Sequence, residues 1–277
     1  MKDLARRLLA SLFGVSLLFI LLYFAKQPFF QGALALLIAL LCAFALQEFS
    51  QLAKAKGLKL KTAFLIPSGV LFSLSFFLCP DFSFFLFWAF FLFSFLLEFK
   101  KTEGAFLSVG SSVFGFLYVA LPLGLVFPIL YSSHFDGRMW LFYLLAVTKS
   151  TDVGGYFGGM FFGKKKLAEH LSPKKTIAGA IAGTLAAVFV SYLFYSFGQS
   201  VAGGRESGFV LSLGAALALG LALAVFGQAG DLAESLLKRD AKTKDSGCLP
   251  GFGGVLDLLD SLLFTLPVLF FYLEAVK

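Results

Sequence analysis

Apolar runs of about 20 residues, the length a helix needs to cross a bilayer, recur along this chain between short basic or glycine-rich stretches. By that ruler the pattern predicts nine spans: Leu8–Ala25, Phe29–Gln47, Phe64–Cys79, Phe82–Phe99, Phe106–Tyr131, Met139–Phe157, Ile177–Phe197, Phe209–Phe226 and Leu258–Val276. The expected fold is all-α, a polytopic transmembrane helical bundle. Phe64–Cys79 is the weakest run, short and carrying Pro67; Met139–Phe157 is unusual in holding Lys149 and Asp152. The N-terminal run follows Lys2, Arg6 and Arg7 with no small-residue cleavage pattern, so it reads as an uncleaved anchor.

Composition agrees. Hydrophobic residues make up 59% of the 277, charged residues only 14%, and the mean hydropathy is +0.89. Soluble domains carry about 25% charged residues. The 38 Phe residues read as lipid-facing filler. Lys and Arg orient the bundle. Under strict alternation, eighteen fall on one side, in the N-terminus and the loops around Lys54–Lys61, Lys100, Lys164–Lys175 and Lys238–Lys244. Lys26, Arg138, Arg205 and Lys277 fall on the other. The N-terminus is therefore expected in the cytoplasm and the C-terminus outside. Residues 1–135 are expected to form an N-terminal helical region, and residues 136–277 a second region that gathers the unusual charges on the cytoplasmic face. Cys42, Cys79 and Cys248 are scattered and imply free thiols. His134 and His170 lie in separate loops, so any metal is expected on oxygen ligands. Nothing points to nucleic acid.

The chemistry gathers late in the chain. Asp257 and Asp260 are three apart on a predicted helix and share a face. Two neighbouring carboxylates repel unless a cation lies between them, and magnesium usually takes one or two carboxylates plus substrate phosphates. The plain alternative is first-turn helix charge. Asp231, Glu234, Ser235 and Lys238 form one helical stripe that continues a span; its plain reading is a solvated amphipathic extension with an Asp231–Ser235 contact or a Glu234–Lys238 pair. Ser246-Gly247 and the glycines from Gly251 to Gly254 make a loop that ends at a helix start, where backbone N–H groups and the helix dipole favour phosphate. Ser172-Pro173-Lys174-Lys175-Thr176 offers two ammonium groups and two hydroxyls to phosphate oxygens. Lys164–Lys166 reads as ordinary positive-inside bias. Gly154, Gly155, Gly158, Gly159 and Gly163, like Gly179 and Gly183, have the spacing of close helix packing. Lys149 and Asp152 either neutralise each other or serve a function.

These residues resemble the phosphatidate cytidylyltransferase, or CDP-diacylglycerol synthase, family. The signature is Ser235, Lys238-Arg239, Lys244-Asp245-Ser246-Gly247, Pro250-Gly251-Phe252-Gly253-Gly254 and Asp257-Leu258-Leu259-Asp260, preceded by Gly230-Asp231-Leu232. Upstream, Asp152, Tyr156, Gly158, Phe162-Gly163-Lys164, the Ser172–Thr176 element and Gly179 also match. Four departures stand out: Phe252 where His is usual, Leu258 where Arg is usual, Ala178 where Glu is expected, and a segment between Gly247 and Pro250 one residue short.

The resemblance implies an inner-membrane, multi-pass nucleotidyltransferase of phospholipid biosynthesis. It would turn CTP and inner-leaflet phosphatidate into CDP-diacylglycerol and pyrophosphate. Asp231, Asp245, Asp257 and Asp260 would hold Mg2+, with a second cation such as K+. Lys238 and Arg239 would join those acids in catalysis. Ser172, Lys174, Lys175, Thr176, Ser235, Lys244, Gly253 and Gly254 would bind the nucleotide phosphates. A homodimer is the assembly suggested by the family and the glycine-rich spans. Two rivals are a divergent homologue of weak or no activity, and a membrane carrier using Lys149 and Asp152.

Overall fold

The computed structural model describes residues 16–100, 103–202, 209–243 and 254–277. Helices dominate. Residues 16–23 are helical (α1), followed by α2 (Pro28–Ala55), α3 (Thr62–Leu78) and α4 (Ser83–Leu96). Then come α5 (Ala105–Leu130, with a π turn at Phe116–Ala120) and α6 (Gly137–Phe162). The chain finishes with α7 (Ile177–Ala202), α8 (Leu213–Asp240) and α9 (Val255–Ala275). Among the described residues five helices are long and apolar enough to cross a bilayer: α2, α5, α7 over Ile177–Gly198, α8 and α9. The chain is a multi-pass, helical membrane protein. The first half of the expected N-terminal span lies outside the described residues.

One element departs from the all-α expectation. β1 (Lys166–Ala168) and β2 (Ser172–Thr176) form an antiparallel hairpin between α6 and α7, with an irregular register. The Ser-Pro-Lys-Lys-Thr element is thus a strand. Pro173 and the lysines suit an unpaired strand edge, where a missing N–H and exposed charge are tolerated.

The chain divides into two compact units, Met1–Phe127 with Asp240–Leu259, and Pro128–Arg239 with Asp260–Lys277. The first has an aromatic core: Phe90 and Phe116 stack at 4.0 Å, and Phe72 packs on Phe116 at 4.7 Å. These rings are buried while Phe84, Phe99 and Phe106 are open, so the phenylalanines build core as well as exposed surface. Lipid is as apolar as a side chain, so packing decides which rings turn inward.

The second unit is built on the α6–α7 pair. A Cβ at Gly154 would lie 2.6 Å from Ala186 Cβ, one at Gly179 2.7 Å from the Gly155 carbonyl oxygen, and one at Gly183 2.6 Å from that of Thr151. The small-residue spacings are therefore consumed within the chain, and these glycines lend no support to pairing between copies. Away from the hairpin, Trp140 packs on Phe209 at 4.5 Å, and Tyr143 OH bonds Ser191 Oγ at 2.7 Å. Ser191 donates to the Ala216 carbonyl, which ties α6, α7 and α8 together.

Candidate active site

Four elements of the second unit deliver charge to one place: α6 carries Lys149 and Asp152, β2 carries Lys175, α8 carries Asp231 and α9 carries Asp260. Lys175 Nζ is 2.5 Å from Asp231 Oδ2, and Lys149 Nζ is 3.3 Å from Asp152 Oδ2. The Asp231 charge bears on both Asp152 and Asp260; Lys149 offsets both, and Lys175 also offsets Asp152. Three carboxylates against two ammonium groups leave a net negative cluster, which suits a cation. Lys149 and Asp152 neutralise each other as the i, i+3 spacing suggests, and they do so inside this cluster.

Local geometry explains the convergence. α8 continues past Phe226 to Asp240, so Asp231 sits on unbroken helix. At Gly230 a Cβ would collide with the backbone carbonyl of Asp260. Only glycine lets α8 and α9 approach there, and that approach puts Asp231 beside Asp260. Asp260 Oδ1 accepts from the Ser261 N–H and, at 3.0 Å, from Ser261 Oγ. On the other side, Thr176 Oγ1 accepts the Gly179 N–H at 3.1 Å, an N-cap that ends β2 and begins α7. Lys175 is therefore anchored one residue from a helix start.

Other expected site residues have defined places. Lys238 Nζ is 2.5 Å from Glu234 Oε2, with Glu234 1% exposed, so the Glu234–Lys238 pair exists and is buried. Arg239 Nε donates to the Leu171 carbonyl at the hairpin turn at 3.1 Å. Thr176 is buried in its capping role, Lys174 is exposed, and Ser172 and Ser235 are half-buried. Gly254 N–H donates to Asp257 Oδ2 at 2.8 Å. Lys244, Asp245 and Gly253 lie outside the described residues.

The α9 start differs from a phosphate cradle. Glu48 of α2 accepts the Val255 and Leu256 N–H groups, and Asp257 takes that of Gly254. Carboxylates fill the amides expected to meet phosphate. Glu48 is the residue that the sequence reading missed. Its only signal was a lone acid at the end of an apolar run.

Among the described residues no three His, Cys, Asp or Glu side chains converge as a ready-made metal cage. The donor set still fits a magnesium-like ion, which binds through one or two carboxylates and completes its shell with water and substrate phosphate. Asp231 and Asp260 are such a pair.

Comparison with known proteins agrees with this chemistry. A phosphatidate cytidylyltransferase of Chlamydia pneumoniae is 35% identical over 287 residues, covering 98% of this chain and 92% of that protein. One of Bacillus subtilis is 33% identical over 285 residues, covering 99% and 98%. One of Chlamydia muridarum is 42% identical over 169 residues, covering 59% and 54%. The sequence also matches the cytidylyltransferase family from residue 5 to residue 276. With similarity running nearly end to end and through every element that builds the charged cluster, the chain belongs to the cytidylyltransferase family.

Proposed function

We infer that this protein is an integral-membrane phosphatidate cytidylyltransferase, making CDP-diacylglycerol and pyrophosphate from CTP and phosphatidate. The observation that carries this is near full-length similarity to two phosphatidate cytidylyltransferases.

In the reaction a phosphate oxygen of phosphatidate attacks the α-phosphorus of CTP. A new P–O bond forms, the bond from the α-phosphorus to the bridging oxygen breaks, and pyrophosphate leaves. Both reactants are anions, so cationic groups must offset their repulsion. The nucleophile is already ionised near neutral pH, so no strong general base is required. A divalent cation, when bound, supplies positive charge to the triphosphate oxygens. Asp231 and Asp260 would hold it, joined by Asp257 and Asp245 of the same signature; Mg2+ is the proposed ion and K+ a second. Lys175 is held ready by Asp231 to receive a phosphate oxygen. Lys149 adds a second ammonium group. Lys174, Lys244, Arg239, Ser172, Ser235 and Gly253 remain proposed phosphate contacts. Lys238 acts through Glu234, and Thr176 and Gly254 through the helix starts they complete.

The positive-inside bias supports nine spans, a cytoplasmic N-terminus, an outward C-terminus and an inner-membrane location. Residues 136–277 would carry the catalysis. The homodimer is proposed from the family alone.

The test is direct. Purified protein with radiolabelled CTP, phosphatidate and Mg2+ should yield labelled CDP-diacylglycerol. Absence of a CTP-dependent lipid product from folded protein would overturn the reading.

A further inference from the structure

The signature lies in the C-terminal part of the chain, yet its last helix is seated on a residue of α2. Glu48 is 7% exposed. Its Oε1 accepts the Val255 N–H at 2.9 Å, and its Oε2 accepts the Leu256 N–H at 2.8 Å. These are the first two residues of α9. First-turn N–H groups have no partner within their own helix, and the dipole favours an anion there. One carboxylate satisfies both. Asp257 follows directly, and its Oδ2 reaches back to the Gly254 N–H at 2.8 Å. Glu48, Gly254 and Asp257 belong to the same compact unit.

A carboxylate removed from water is costly unless its oxygens are hydrogen-bonded. Apolar packing alone could seat a lipid-embedded helix, so a buried acid at this position asks for a more specific task. Two bonds to successive amides fix both the axial position and the rotation of the first turn of α9. A helix turns by about 100° per residue, so a one-residue slip would carry Asp257 to a different face. Lys56, further along α2, pairs with Asp240 at 2.5 Å, but those side chains are 47% and 57% exposed. Such surface pairs contribute only about 0–1 kcal/mol, so the buried acid dominates.

We propose that Glu48 is a positioning residue for nucleotidyl transfer, fixing the axial position and rotation of the first turn of α9, which carries Asp257. This rests on the cytidylyltransferase reading and on Asp257 belonging to the acidic set.

The experiment compares full-length wild-type, Glu48→Gln, Glu48→Asp and Lys56→Ala proteins in detergent. Gln keeps the size of the side chain but turns an amide NH2 toward one backbone N–H. Amide hydrogen exchange at Val255 and Leu256 is measured without substrate, and CDP-diacylglycerol formation is titrated with Mg2+. Glu48→Gln should speed exchange at those amides by about tenfold. It should raise the half-saturating Mg2+ concentration by about tenfold or more, with the phosphatidate KM unchanged. Glu48→Asp should recover part of both effects, and Lys56→Ala should stay within about twofold of wild type. Faster exchange with unchanged Mg2+ dependence and unchanged kcat per folded molecule would make Glu48 a mere cap and overturn the proposal. Unchanged exchange would overturn it as well. An inactive wild type overturns the enzyme reading and takes Glu48's role with it, whereas an active wild type with an indifferent Glu48→Gln removes only the latter.

Discussion

Lys175 on β2 and Asp231 on α8 are held 2.5 Å apart, with side chains 25% and 33% exposed. The first comes from the upstream Ser172–Thr176 element and the second from the stretch that precedes the C-terminal signature, and each holds the other in place. Removing either should cost kcat/KM by about 100-fold or more, the scale for groups aimed at developing charge. Because they act as a pair, Lys175→Ala with Asp231→Asn should be much less than additive. A double-mutant cycle on purified protein measures this; strict additivity would separate the two roles.

Asp260→Asn tests the acidic set with little disturbance of shape. Asn keeps an oxygen that can accept from the Ser261 N–H and hydroxyl, as Oδ1 does now. Turnover should fall by about 1,000-fold, while the melting temperature in detergent stays near wild type. Chelating divalent cations should stop the wild-type reaction. A variant that turns over normally would remove Asp260 from the site.

Gly230→Ala should be damaging and Gly227→Ala mild. A Cβ at Gly230 meets the Asp260 carbonyl, whereas at Gly227 the nearest atom is Thr265 Cγ2 at 3.5 Å. Overpacking costs about 1–3 kcal/mol. Thermal unfolding should rank the two, and Gly230→Ala should lose activity too, because it drives Asp231 away from Asp260.

Lys238→Met should act on stability before chemistry. It takes the ammonium from the buried Glu234, and breaking a buried pair typically costs about 3–5 kcal/mol. Lys174→Ala, at an exposed position, should leave the melting temperature unchanged. The reverse ranking would refute the buried-pair assignment.

Lys149→Met separates the enzyme from the carrier reading. Lys149 offsets both Asp152 and Asp260, so its loss should reduce CDP-diacylglycerol formation. A carrier would instead show solute flux across proteoliposomes without CTP.

Much of this was legible in the amino-acid order. Apolar length predicts the helices because hydrocarbon thickness sets a ruler; α2 and α5 to α9 match their expected runs to within a few residues at most ends. α8 extends furthest beyond its run, since amphipathic stripes continue a helix after hydropathy fades. The glycine spacings marked the α6–α7 contact, and the stretches that carry Asp231 and Asp260 meet where Gly230 packs against the Asp260 carbonyl. The hairpin was hidden because strands of three and five residues are too short for any periodicity. Glu48 was hidden because its partners lie more than 200 residues away, and an acid at the end of a span looks like an interfacial residue.

Thr176 closes a strand and opens a membrane-crossing rod in one step. The neighbouring ammonium of Lys175 is consequently rigged to the bilayer with no slack between them. Stretching or thinning of the lipid that tilts α7 would shift that charge against Asp231, so the physical state of the membrane would reach the chemistry through a single joint.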